Sequence, residues 1–291
     1  MAKRSLIVTH HAPDLDAIGA TWLLVRFNTQ DYNSAQFAFV NPGERISLDM
    51  AASLGFDLHE VVHVDTGLGK FDHHQPERGH QQISATSLVF DNTIARYPDL
   101  EQDGALQSMV QFITDIDHFG EIYWPESDHD RYSFMVHELL RGVENSELHD
   151  DESTLFFGMK CLDAVYANLT QKLKAKEIIA EKGQEFLLSV GKCLALETRN
   201  DDTIKLAQMQ GYVLVIKKDP KIGSIRMKAR PDSAIELKPL HEAVLKVDST
   251  GTWYYHPSGK MLLNGSDKSH NQTPTPLTLE EIVSLTKKVF S

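Results

Sequence analysis

Cysteine is almost missing from these 291 residues: Cys161 and Cys193 are the two present, with no Cys-x-x-Cys pair. That scarcity excludes a disulfide framework and a cysteine-built zinc site, and it suits a reducing cytoplasm. Long apolar runs are missing as well. No stretch approaches the roughly 18 apolar residues that cross a bilayer, and the opening MAKRSLIVTHH reaches histidines after a short apolar patch, too little for a signal peptide. A cytoplasmic chain with no membrane partner is the expectation. Neither an internal repeat nor a low-complexity tract is found, and with 41% hydrophobic and 24% charged residues the composition is that of a folded globular protein. Basic charge is also short: 29 Lys and Arg stand against 41 Asp and Glu, a net charge of −12.

What is present is unevenly placed. Residues 1–150 hold 9 basic and 24 acidic side chains, a balance of −15, and 11 of the 14 histidines. Carboxylate and imidazole concentrated together are the donors that divalent cations take. An acidic surface alone accounts for the charge equally well, so position must decide.

The order of elements predicts an α/β fold. SLIVTH (5–10) reads as a buried strand, DAIGATWLLVRF (16–27) as a helix, QFAFV (36–40) as a second strand, LDMAASLG as a short helix closed by Gly55, and EVVHVD (60–65) as a third strand. Alternation of this kind gives a doubly wound parallel sheet covered on both faces. Helical patterns follow at 85–97, 103–116 and 131–142. From 152 to 198 a proline-free helical stretch, interrupted by Gly183 and Gly191 and with Leu155, Met159, Leu162, Tyr166, Leu169 and Leu173 on one face, predicts a connecting helix. The rest predicts a smaller α+β unit. Its strands are 211–217 and 223–230, a helix follows near 236–246, a hairpin occupies 252–265, KSHNQTPTP is a loop, and a helix closes the chain at 277–290. The expected division is 1–148, a helical connector 149–205, and 206–291.

Polar clusters interrupt the apolar runs where strands of a parallel sheet end, which is where open α/β sheets bind ligands. His10-His11-Ala12-Pro13-Asp14-Leu15-Asp16 follows the first strand, Asp65 follows the third, and Asp72-His73-His74 comes seven residues later. Asp115 and Asp117 end a helical pattern. An Asp-x-Asp turn gives one carboxylate to each of two ions about 3.5 to 4 Å apart more easily than both to one. Asp14 then joins His10 on the first ion, Asp16 joins His73 on the second, and Asp65 bridges them.

HHAPDLDAIGA fits the His-x-x-Pro-Asp-x-Asp-x-x-Gly-small signature of the DHH phosphoesterase superfamily, and Asp72-His73-His74 resembles its eponymous triplet. The resemblance covers about residues 5–120. It implies two divalent cations, Mn2+ first and Mg2+ as the alternative, held by His10, Asp14, Asp16, Asp65, His73 and one of Asp115 or Asp117, with Asp115 the better match. His74 would contact the substrate phosphate or donate a proton, and Asp65 with the ions would hold the attacking hydroxide. VDTGLGKFDHHQ and the later WYYHPSGKMLLNGS resemble the MYG-type exonuclease branch.

Substrate contacts are expected from the C-terminal part. Lys217, Lys218, Lys221, Arg226, Lys228 and Arg230 face one acid, Asp219, within 217–230. Strand alternation puts Arg226, Lys228 and Arg230 on one face, suited to phosphates. His256, Ser258 and Gly259, in a turn, could add a contact. The patch is too small for strong duplex binding, so the expected substrate is a short single-stranded oligonucleotide or a nucleotide, cleaved exonucleolytically. Hydrolysis of pyrophosphate or a cyclic dinucleotide is the alternative, and a non-catalytic metal- or nucleotide-binding regulator is the reading from another class. A homodimer is compatible with the sequence.

Overall fold

A computed structural model describes residues 4–146, 150–265 and 271–290. The chain divides into two units, Met1–Leu169 and Thr170–Ser291.

The first unit is built on β1 (Leu6–His10), which lies between β2 (Gln36–Val40) and β3 (Val61–His63) with both pairings parallel. Successive side chains of β1 point to opposite faces. Ile7 enters a core with Leu15, Ile18 and Leu23 of α1 (Leu15–Phe27). Leu6 and Val8 enter another with Ala38, Val40, Phe56 and Ala51. A one-turn α2 (Thr29–Tyr32) leads into β2, and α3 (Leu48–Ser53), which carries Ala51, covers the second face. On the first face α1 is joined by α4 (Ala85–Arg96) and α5 (Gly104–Asp117), which contribute Val89, Leu106 and Ile113. Helices therefore cover both faces of a parallel sheet, the doubly wound arrangement that the sequence predicts.

Two details of this packing position the site. The chain leaves β1 for β2 on one side and then crosses to β3 on the other, so the order reverses between β1 and β3; in such sheets the crevice outside the strand ends at that reversal receives ligands. Gly19 lets α1 approach α4 closely: a Cβ there would lie 2.5 Å from Thr86 Oγ1 and 2.9 Å from Ile113 Cδ1. After α5 come single-turn segments, then α6 (Val136–Glu144).

The expected helix over 152–198 requires correction. α7 (Asp151–Lys182) ends at Lys182, and β4 (Gln184–Leu188) and β5 (Gly191–Glu197) follow as an antiparallel hairpin. At Gly183 a Cβ would sit 2.4 Å from the Ile179 carbonyl oxygen, so a side chain there is incompatible with this helix end. The boundary between units thus falls inside α7, and 149–205 is no helical connector.

In the second unit six strands run in the order β4-β5-β6-β7-β9-β8, with β6 (Leu214–Lys218), β7 (Ile225–Ala229), β8 (Trp253–Tyr255) and β9 (Met261–Asn264). The β5 and β6 pair is parallel and the others antiparallel. Leu214 and Ile216 face one core with α9 (Lys238–Val247) and α10 (Leu279–Phe290), whereas Val215 faces the other with α8 (Asp202–Met209). Part of the expected KSHNQTPTP loop, 268–270, lies outside the described residues; the rest is irregular chain. Among the described residues no helix is long and apolar enough to cross a membrane.

Candidate metal centre

β1 ends at His10, and its ring is oriented by its neighbour. Nδ1 donates to the His11 carbonyl at 2.9 Å, which leaves Nε2 directed at Asp65 Oδ2, 3.3 Å away. Asp14 caps α1: its Oδ1 accepts the amides of Asp16 at 2.9 Å and Ala17 at 3.0 Å. The same oxygen lies 4.0 Å from His10 Nε2. Asp16, in the first turn of α1, is 2% exposed. Its two oxygens accept the amides of Ala85 at 2.6 Å and Thr86 at 2.8 Å, the first of α4. A helix N-terminus offers such unpaired donors and a favourable dipole to a carboxylate.

Asp65 follows β3 in the left-handed region, at φ 55°, and is 3% exposed. The loop after it is fastened by Asp72, whose carboxylate accepts the amides of Leu68 at 2.6 Å and His74 at 3.0 Å and the His74 ring Nδ1 at 2.9 Å. Burial opposes the charge on Asp72, but these bonds prevail and hold its carboxyl at about 2. Asp72 is therefore the anchor that orients His74 and keeps His73 turned inward.

The second imidazole gathers the remaining donors. His73 Nε2 lies 3.3 Å from Asp65 Oδ1, 3.5 Å from Asp117 Oδ2 and 3.7 Å from Asp16 Oδ2. Asp65 thus faces His10 with one oxygen and His73 with the other. His74 Nδ1 is 3.7 Å from Asp65 Oδ1, with its side chain 58% exposed.

Of the two alternatives for the sixth donor, Asp115 and Asp117, the structure brings Asp117 to the cluster. Two residues turn a helix by about 200°, so α5 can direct one of the pair inward. It directs Asp117; Asp115 accepts from Gln111 Nε2 at 2.9 Å on the exposed side.

Among the described residues, Asp65 Oδ1, His73 Nε2 and Asp117 Oδ2 are buried without a hydrogen-bond partner. Buried polar atoms are nearly always satisfied, and three orphans converging within these distances fit a cation. The electrostatics agree. Burial and the neighbouring carboxylates raise Asp16 well above the usual range and Asp117 to about 6. Burial opposes charge on His10 and His73, yet the surrounding carboxylates outweigh it and hold both at about 9. Bound divalent cations would replace those protons.

No protein-family model and no curated protein matches the chain. Solved structures do. A DHH domain described as a member of the S1p family of ribosomal proteins is similar over 99% of this chain and 87% of its own, at 13% identity and a TM-score of 0.33. Exonuclease RecJ bound to manganese is similar over 99% and 90%, at 11% and 0.31. A candidate family II inorganic pyrophosphatase of Methanococcus jannaschii is similar over 99% of both chains, at 15% and 0.24. DHH-domain proteins are thus among its structural neighbours. What the site can do follows from its own side chains.

The C-terminal residues expected to grip phosphate are placed differently from expectation. Arg226 and Lys228 share the half-buried face of β7, but Arg230 lies beyond its end. Arg226 Nη1 pairs with Asp201 Oδ2 at 2.6 Å, and Lys217 binds the same carboxylate. Arg230 holds Asp232 with two nitrogens, at 2.6 Å and 2.5 Å. Two of the three cations are therefore committed to acids outside the counted segment. His256 lies 2.8 Å from Ser258 Oγ through Nδ1, and Gly259, at φ 74°, closes the turn between β8 and β9. Sequence reasoning missed Asp72 as an anchor and Asp151, which holds the His10–Asp14 loop from far along the chain.

Proposed function

We propose that this chain is a metal-dependent phosphoesterase of the DHH type that cleaves short single-stranded oligonucleotides from an end, with Mn2+ as the preferred ion. The observation that carries the reading is the convergence of three orphaned buried atoms, on Asp65, His73 and Asp117, at the strand ends where the sheet reverses its order.

His10, Asp14 and Asp65 form one donor group; Asp65 with His73 and His74, and His73 with Asp117 and His118, form two more that share His73, and Asp16 Oδ2 lies 3.7 Å from His73 Nε2. Divalent cations held there supply positive charge that lowers the pKa of water and offsets charge building on a phosphoryl group. The chain's own part is placement. Asp16 and Asp72 are fixed by backbone amides and hold the donors at set positions without further reorganisation. His74 is exposed on one side, and its hydrogen bond to Asp72 raises its pKa. With its Nδ1 held by Asp72, its ring is placed to deliver a proton to a leaving oxygen.

Incubation of the purified protein with Mn2+ and an end-labelled five-nucleotide RNA should release mononucleotides, with pyrophosphate and a cyclic dinucleotide as parallel substrates. Faster pyrophosphate cleavage would reassign the substrate. Bound metal with no turnover of any of the three would leave a non-catalytic metal-binding protein.

A further inference from the structure

A cavity of about 180 Å³ opens beside the donor cluster, with Asp14, Asp16 and Asp117 on one wall. The opposite wall is α6, which presents His137 and Arg141, one helical turn apart. Phe119 stands at the rim. Its backbone is left-handed, at φ 56°, directly after α5. That position ordinarily takes glycine or asparagine, and a bulky residue there is strained. Burial does not account for the strain, because Phe119 is 71% exposed. Strain of this kind persists mainly where function requires it. The turn throws the aromatic ring out beside Asp117, two residues after that donor.

Arg141 is the sole cation among the described lining residues apart from the titratable His137. Its side chain is 70% exposed and lies 3.8 Å from Glu138, and Glu144 of the same helix also lines the cavity. Among the described residues, His137 Nδ1 is buried without a hydrogen-bond partner. The cavity therefore offers an aromatic face and a lightly held guanidinium. A dry cavity of about 150 Å³ accepts one benzene ring, so the volume suits one base. Aromatic side chains stack on any base, and guanidinium groups bind phosphate oxygens in pairs.

We propose that this cavity is a nucleoside subsite, in which Phe119 stacks on the base next to the scissile phosphate and Arg141 binds a phosphate oxygen of the same nucleotide. The proposal rests on the phosphoesterase reading of the adjoining cluster and deepens it: the substrate is a nucleotide and not bare pyrophosphate.

The test is calorimetric binding of AMP and of inorganic phosphate to the Mn2+-loaded protein, compared with Phe119→Ala and Arg141→Gln. Phe119→Ala should weaken AMP at least about fivefold, the low end for loss of one stacked base, and leave phosphate unchanged. Arg141→Gln should weaken both ligands, with Mn2+ affinity unaltered. Wild-type AMP affinity in Phe119→Ala, equal losses for phosphate and AMP in that variant, or no AMP binding to the wild type would each overturn the subsite. If the expected losses are found but the wild type turns over no substrate, the subsite stands and the phosphoesterase reading falls.

Discussion

The Asp151 carboxylate grips the backbone of Ala12: Oδ1 accepts the Ala12 amide at 2.7 Å, and Oδ2 lies 2.6 Å from the Nδ1 of His11. Ala12 is held at φ 51°, an unfavourable conformation for a residue with a Cβ. A side chain at the start of α7 thus fixes the loop that carries His10 and Asp14. Asp151 itself is no metal donor; it is a positioning residue.

Asp151→Ala should therefore lower Mn2+ affinity by about 10- to 100-fold, the usual effect of removing a group that orients metal ligands. Asp151→Asn, which keeps one oxygen for the Ala12 amide, should lose less. Calorimetric titration with Mn2+ checks both. An affinity equal to wild type in the alanine variant would assign Asp151 to fold stability alone.

The choice between the two aspartates at the end of α5 has an equally direct test. Asp117→Asn should weaken Mn2+ binding by more than about tenfold, taking the loss at outer positions as a lower bound, and should reduce turnover in parallel. Asp115→Asn should behave as wild type, since its carboxylate accepts from Gln111 on the exposed side of α5. The reverse ranking would mean that α5 is rotated about its axis relative to the structure.

That rotation was legible in the sequence. Leu106, Met109, Val110 and Ile113 are the buried stripe of α5, and one more helical step from Ile113 reaches Asp117, not Asp115. Motif matching favoured Asp115 where helical periodicity pointed to Asp117, the one that lies against His73. The first sheet was readable because β1 is a continuous apolar run and Asp14 lies where a helix cap is needed. The end of α7 was not. Residues 184–188 form an edge strand with burial only at Phe186 and Leu188, and so short an alternation fits a helical stripe as well as a strand. The pairing of Arg226 with Asp201 is a contact across 25 residues that local alternation cannot disclose. Asp232, two residues from Arg230, could have been counted.

Proton linkage gives the last prediction. His10 and His73 are held at about 9 in the metal-free fold, against 6.5 for a free imidazole. A raised imidazole pKa contributes stability that is complete below pH 6.5 and is lost as pH rises toward 9. Asp117, raised from 3.8 to about 6, acts in the same direction at lower pH, because the folded chain binds its proton more tightly than the unfolded one. Chelator-treated protein should therefore lose melting temperature between pH 6.5 and 9. Divalent cations need the same nitrogens unprotonated, so Mn2+ should stabilise the fold more as pH rises across that window. At pH 7, binding should expel at least about two protons, one from each imidazole and any held by the raised Asp16 carboxyl, read as the dependence of the calorimetric heat on the ionisation heat of the buffer. The release should fall to about half near pH 9 and fade further above it. A proton count near zero at pH 7 would show that His10 and His73 are neutral before metal binds, and that the carboxylates around them do not act as the geometry requires.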